Sequence, residues 1–254
     1  MKKCIIFLFV LASSVAAFGQ SSAVTSQTAL TLQKGKLEFG LLHPLVIGVS
    51  DSVELVTHPF LDILQPNAGV KVNWIEKNGL YFSTSHSLSY ATLFLNLISR
   101  SGTGGVLPAD NTIPQVFTLD NQILSTYITG NHMVSLRVGA RIAAKFPDIV
   151  FDTIDYPVLF TNTAAYHAPI VFNVEANYRL RLSGRLALLF DGGAYLMPQP
   201  LGAMEIRQTS EVLFGFNQTF SVSAGYLMTY GSYPYGNDWK VFPLVDFIFS
   251  FGGK

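Results

Sequence analysis

Alternation of apolar and polar side chains recurs along this chain in unusually long segments. In LYFSTSHSLSYATLF, Leu80, Phe82, Leu88, Tyr90 and Phe94 share one face, and Ser83, Ser85, Ser87 and Ser89 share the other. MVSLRVGARIA sets Val134, Leu136, Val138, Ala140 and Ile142 against Ser135, Arg137, Gly139 and Arg141. VFNVEANYRLRL and TFSVSAGYLMTY repeat the pattern at residues 171–182 and 219–230. A period of two residues predicts strands with two chemically different faces. No helix-period segment of comparable strength follows the first twenty residues.

These segments run about 10–13 residues, against the five or six common in soluble sheets and the 9–11 that a tilted strand needs to cross a bilayer. Their connectors alternate in length. Residues 50–52, 76–79, 129–132, 182–184 and 217–218 are tight, whereas 99–114, 145–167, 198–208 and 231–239 are long and rich in Gly, Pro, Asn, Asp and Tyr. Short turns at one rim and long loops at the other mark an up-and-down membrane barrel. Parity then calls for twelve strands, at about 24–33, 36–49, 53–64, 68–76, 80–94, 115–128, 132–144, 168–181, 185–197, 209–217, 219–230 and 240–252. The first of these carries the weakest pattern, and ten strands is the alternative. The expected fold class is therefore all-β, a transmembrane antiparallel barrel in a single domain over residues 20–254.

Residues 1–19, MKKCIIFLFVLASSVAAFG, combine two lysines, a short apolar stretch and small residues placed for cleavage, which predicts a secretory signal peptide. The single cysteine, Cys4, would leave with it, so the mature chain offers no disulfide, thiolate nucleophile or Cys metal ligand. Removing Lys2 and Lys3 from 16 basic residues leaves 14 against 16 acidic ones, a formal charge of −2 that argues against a nucleic-acid partner. Hydrophobic residues make up 49% and charged residues only 13%, yet no later apolar run is long enough for a membrane helix. Hydrophobicity spread over alternate positions is the composition of a lipid-exposed sheet.

With these features in place, the chain resembles bacterial outer-membrane β-barrel proteins, particularly the Tyr- and Phe-rich kind of the Bacteroidota. PLVIGVSDSVELVTHPFL looks like the strand, Asp-containing turn and strand of such barrels. VDFIFSFGGK is similar to their C-terminal assembly signal, although Gly252, Gly253 and Lys254 follow the last aromatic residue. The resemblance implies a location in the outer membrane, with outer-membrane lipid and the barrel insertion machinery as partners. It is a resemblance of architecture, which does not by itself fix function.

If the apolar face meets lipid, Phe247, Phe249 and Phe251 of the last strand face the bilayer and the polar face lines a lumen. That lumen would carry Glu54, His58, Asp62, Lys71, Asp120, Arg137, Arg141, Glu175, Arg179 and Asp191. A hairpin near Pro66 and Asn67 would set Asp62 opposite Lys71, and one at 129–132 would bring Asp120 near Arg141 with Glu175 one strand beyond. Such mixed charges predict an ion-paired constriction that selects small hydrophilic solutes. The same pairs would equally brace a narrow barrel that conducts nothing. A lipid hydrolase needs a nucleophile and base in contact, but His58 and Asp62 lie ~13 Å apart on an extended strand, and G-x-S-x-G is absent. No cofactor, metal or enzymatic role is expected. A secreted β-sandwich binding module is the soluble alternative. The apolar 145–167 loop, with Phe146, Phe151, Tyr156 and Phe160, is expected to fold over or into the barrel mouth.

Overall fold

The computed structural model describes residues 25–58, 62, 65–99, 107, 112–149, 157–198, 200–233 and 236–252. The expected signal peptide, Cys4, Phe151, Tyr156, Tyr235, Gly253 and Lys254 lie outside them. Twelve strands close into one antiparallel barrel in which each is hydrogen-bonded to its neighbours in sequence and the last returns to the first. They are β1 (Leu37–Gly40), β2 (Leu45–Ser50), β3 (Val53–Thr57), β4 (Asn67–Lys77), β5 (Leu80–Tyr90), β6 (Gln115–Thr129), β7 (His132–Phe146), β8 (Ile170–Arg181), β9 (Leu186–Met197), β10 (Ala203–Gly215), β11 (Phe220–Tyr233) and β12 (Gly236–Phe251).

Twelve strands were expected, but two errors in their placement cancel. In place of the strand expected over 24–33, the described residues 25–33 open as a 3-10 turn at Thr25–Gln27 and continue through the lumen. The expected strand over 36–49 is instead two strands, β1 and β2, folded back at residues 41–44. Pro44 has no N–H to give a ladder, and the bend falls just before it. Asp246 on β12 accepts the Leu42 N–H at 2.9 Å and holds the turn. Barrel closure therefore pairs β12 with β1, from Leu37 opposite Phe251 to Gly40 opposite Ile248, and not with an earlier segment.

From β4 onward the strands are 11–16 residues long, while β1, β2 and β3 have 4, 6 and 5. The tight turns gather at one rim. At 78–79, Asn78 and Gly79 both take positive φ (52° and 78°), the backbone of a two-residue hairpin turn whose twist matches its strands. The long loops gather at the other rim and contain two short helices that the period-2 reading missed, α1 (Thr92–Ile98) and α2 (Pro157–Thr163). No helix among the described residues is long and apolar enough to span a membrane.

Large apolar side chains are exposed around the outer wall, among them Leu55, Ile123, Leu136, Val174, Ile206 and Val245. Aromatic rings concentrate at its two edges. At the short-turn rim Phe39, Phe249 and Phe220 stack in sequence, with centroids 5.5 and 5.2 Å apart, and Phe220 continues to Phe216. At the long-loop rim Tyr230 packs on Trp239 at 4.5 Å and Tyr90 on Phe117 at 4.9 Å. An apolar band between two aromatic girdles is the outer surface of a membrane barrel.

Candidate functional site: an ion-paired lumen occupied by its own chain

The inner wall is polar, and its charges are joined strand to strand. On β3 and β4, Glu54 and Lys71 are register partners with a 2.7 Å ion pair. On β6 and β7, Asp120 faces Arg141 and accepts from Nε at 2.9 Å and Nη2 at 2.7 Å, both on Oδ2, while Gln122 Nε2 donates to Oδ1 at 3.1 Å. On β7 and β8, Arg137 faces Glu175 and donates to Oε2, while Asn173 Nδ2 takes the other carboxylate oxygen at 2.6 Å. Adjacent opposite charges on one face of a sheet are what such registers bring together.

Two of the anticipated lumen residues sit elsewhere. β3 ends at Thr57 and β4 begins at Asn67, so no tight hairpin joins them, and Lys71 meets Glu54 and not Asp62. Asp62 accepts from Thr57 Oγ1 at 2.6 Å and from the Asn67 backbone and side-chain amides at 2.9 and 2.7 Å, which fastens that loop. His58 lies just past β3, its Nε2 3.3 Å from the Leu42 carbonyl. Arg179 is buried near the short-turn end of β8, within the field of Glu38. Asp191 is half-buried on β9, with Asn177 Nδ2 at 3.5 Å.

Several inward residues escaped the sequence reading. Glu38 on β1 is fully buried, accepts from Ser250 Oγ at 2.7 Å and lies 3.1 Å from His43 Nε2. Glu205 on β10 is also fully buried, paired with Arg207 and receiving the Tyr233 hydroxyl at 2.9 Å. Arg207 in turn lies over the Tyr195 ring, 4.8 Å from its centroid. Residues 203–208 read as loop because Pro198, Pro200 and Gly202 precede them. The alternation of Met204 and Ile206 with Glu205 and Arg207 was the signal that should have extended β10 upstream.

From the short-turn side the lumen is filled by residues 25–33. Side chains of the wall reach several of their backbone groups, which buried peptide groups require. Lys71 Nζ donates to the Thr25 and Thr28 carbonyls, Ser83 Oγ to the Ala29 carbonyl, and Thr126 Oγ1 accepts the Ala29 N–H at 2.8 Å. Glu54 Oε2 accepts the Leu32 N–H at 2.6 Å, and Gln27 reaches Asn177 across the barrel at 3.0 Å. Gly48 makes the close approach feasible, since a β-carbon there would lie 2.1 Å from the Gln33 carbonyl oxygen.

From the long-loop side, α2 and the 3-10 turn at Ala164–Tyr166 descend onto the wall. Phe160, Ala164 and Ala165 pack with Val171, Met197 and Tyr233, and the Phe160 ring meets that of Tyr233 edge-on at 5.6 Å. Of the 145–167 loop, the described residues 157–167 thus fold into the mouth, with Phe160 and Tyr166 buried, while Phe146 at the end of β7 is exposed. Arg141 Nη1 donates to the Asn162 carbonyl at 3.1 Å, tying this insert to the Asp120 pair. Burial pushes the Tyr166 phenol up to about 12 despite the nearby Arg141 cation, so it stays a neutral donor. Between the insert and the wall remains a cavity of ≈ 220 Å³, lined by Asp120, Arg137, Arg141, Glu175, Thr161 and Tyr195, among others.

Among the described residues no group of three His, Cys, Asp or Glu side chains is placed to hold a metal. His86 points outward to Asn121 at 2.8 Å, and His132 to Tyr178 at 2.8 Å on the outer wall.

No family model and no curated protein sequence matches the chain. Solved structures of outer-membrane proteins resemble it to different degrees. Outer-membrane expressed OmpT of Vibrio cholerae superposes with a TM-score of 0.50 at 9% identity, over 93% of this chain and 70% of that one. The in-vitro folded form of the same outer membrane protein gives 0.45 at 9% identity, over 92% and 68%. The ferric yersiniabactin uptake receptor FyuA of Yersinia pestis gives 0.24 at 12%, over 88% of this chain and 44% of that one. At 9% identity the likeness to the first of these is one of fold alone, and the fold is that of a bacterial outer-membrane β-barrel.

Proposed function

We propose that this chain resides in a bacterial outer membrane and admits small hydrophilic solutes to a lumen that its own segments obstruct. The observation that carries this reading is the pairing of a polar, ion-paired cavity with two inserts of unequal character. One is bonded to the wall through its backbone, the other packed on it through a small apolar cluster. Neither insert is covalently fixed within the lumen, so each can be released for the cost of the contacts named above. Outer-membrane lipid surrounds the apolar band, the insertion machinery reads the Phe-rich β12, and no catalytic step is assigned to the chain.

A second reading, a braced barrel that conducts nothing, draws support from the same cross-strand ion pairs, because each lumen acid named above already has a partner. Planar bilayers separate the two. Purified protein is expected to give discrete but infrequent conductance steps, and a variant lacking residues 158–165 more frequent ones. Flat traces from both proteins, each verified as folded by boiling-dependent migration in SDS, would leave only the braced barrel.

A further inference from the structure

β12 has 16 residues, but β1, which closes the barrel against it, has 4. Their register runs only from Phe251 to Ile248, and among the described residues no strand pairs with that flank of β12 further toward the long loops. The Ser250 N–H donates to the Thr219 carbonyl at 2.9 Å, on the β11 side. Backbone groups of an antiparallel strand address its two flanks in alternation, and the β11–β12 register has no shift. Val241, Pro243, Val245 and Phe247 therefore turn their backbone groups to the open flank.

An open sheet edge is costly in hydrocarbon, and this one is blunted instead of paired. Pro243 has no N–H to leave bare, and a proline within a strand is confined to such edges. The Phe247 N–H is taken by Asp246 Oδ1 at 2.9 Å, and the same oxygen accepts from Leu42 where β1 turns away. Edges blunted in this way resist pairing with another strand. With ~2.5 Å of height per residue for a strand tilted by ~40°, Phe247 lies ~10 Å and Val241 ~25 Å above the short-turn end. The open flank thus spans the long-loop half of an apolar band about 25 Å tall.

The side chains identify what meets this flank. VFPLV, residues 241–245, interrupts the alternation of apolar and polar positions. Val241 and Val245 face outward, 64% and 48% exposed, while Phe242 and Leu244 face the lumen half-buried, with Leu227 the register partner of Phe242. A strand that is apolar on both faces suits an apolar medium on both. Outside, that medium is lipid, and past the open flank the two faces are continuous. Resting on residence in the membrane and not on solute passage, we infer that the flank of β12 between Val241 and Phe247 is a lateral port through which an acyl chain of a membrane lipid reaches Phe242 and Leu244 on the inner wall.

Tryptophan quenching by phospholipid brominated on its acyl chains tests this in vesicles, with Trp74 and Trp239 replaced by Phe and a single Trp placed elsewhere in the full chain. Val245→Trp reports the outer face and Leu244→Trp the inner face one residue away. Gln122→Trp reports an inner position whose strand is paired on both flanks. Leu244→Trp is expected to be quenched at least about half as strongly as Val245→Trp and about fivefold more strongly than Gln122→Trp. Phe242→Trp, which keeps an aromatic ring at its position, is expected to repeat the result and replaces Leu244→Trp should that variant not fold. Quenching at the two inner β12 positions no greater than at Gln122→Trp overturns the inference, and is the outcome if a second copy or a partner's strand closes the flank. Equal quenching at all positions overturns it too, because lipid would then enter without regard to the port. An unquenched Val245→Trp removes the membrane reading and the port with it. Conductance in planar bilayers is independent, so a conducting barrel with unquenched inner β12 positions keeps solute passage and loses the port.

Discussion

Glu54 on β3 and Lys71 on β4 meet at 2.7 Å with neither side chain more than 2% exposed, and both also hold the segment that occupies the lumen. A buried pair gains little net stability, because desolvating both charges offsets much of their attraction, but removing one partner strands the other. Lys71→Met should therefore cost about 3–5 kcal/mol in urea unfolding from detergent. The double variant Glu54→Gln/Lys71→Met should recover most of that loss. In the single variant residues 25–33 lose their lysine donor and should become sensitive to added protease. A cost below about 1 kcal/mol would mean that the pair is solvated as an exposed one is.

Gly48 isolates the lumen segment from the ion pairs. Its ideal β-carbon position is 2.1 Å from Gln33 O and 2.6 Å from Leu32 O, both main-chain atoms that cannot swing aside as a side chain would. Gly48→Val should displace residues 32–33 from β2 with about 1–3 kcal/mol of overpacking cost. The barrel should still migrate as a folded species before boiling, with more frequent conductance steps than the unmodified protein. Unchanged conductance would show that this segment does not obstruct the path.

What the alternation revealed was the wall, and what it missed was the interior. From β4 to β9 the period-2 pattern is strong because every second residue meets a different medium, and registers such as Asp120 with Arg141 follow from the turn position alone. Residues 25–33 carry no such contrast. They lie inside the barrel and not in its wall, so burial falls on Thr28, Ala29 and Leu32 without a period of two. β1 and β2 were fused because Leu41 and Leu42 continue the apolar character across the bend, and only Pro44 announces the break. α1 was read as the end of β5, since Leu93, Phe94, Leu95 and Leu97 suit a strand as well as a short helix. Thr161 and Arg137 are 24 positions apart in sequence, and no local pattern could bring them to one cavity.

Under the proposed passage of solutes, Arg137 and Arg141 would set the charge of the path as well as brace it. Replacing both with Ala leaves Asp120 and Glu175 unmatched on the inner wall, so any current through the barrel should shift toward cations in a reversal-potential measurement under a salt gradient. Arg141→Ala alone also removes the bond to the Asn162 carbonyl, and should raise the frequency of open events by loosening α2. An unchanged reversal potential in the double variant would place the ion path away from these strands.

Phe247 and Phe251 are exposed alike, at 45% and 48% of their surfaces, so exposure alone does not distinguish lipid from water around them. Their depth does. Phe251 ends β12 at the short-turn rim, whereas Phe247 lies four residues further along, about 10 Å deeper for a strand tilted by ~40°. Arginine on a lipid-facing wall costs about 2–4 kcal/mol at the bilayer midplane and falls to ~0–1 near the interface. Phe247→Arg should thus destabilise the barrel by about 2 kcal/mol more than Phe251→Arg when each is refolded from urea into phospholipid vesicles. In water the two substitutions would be near-equivalent surface changes. Small and equal costs would place this face against solvent, and the gradient is expected only if Phe247, Phe249 and Phe251 look into the bilayer.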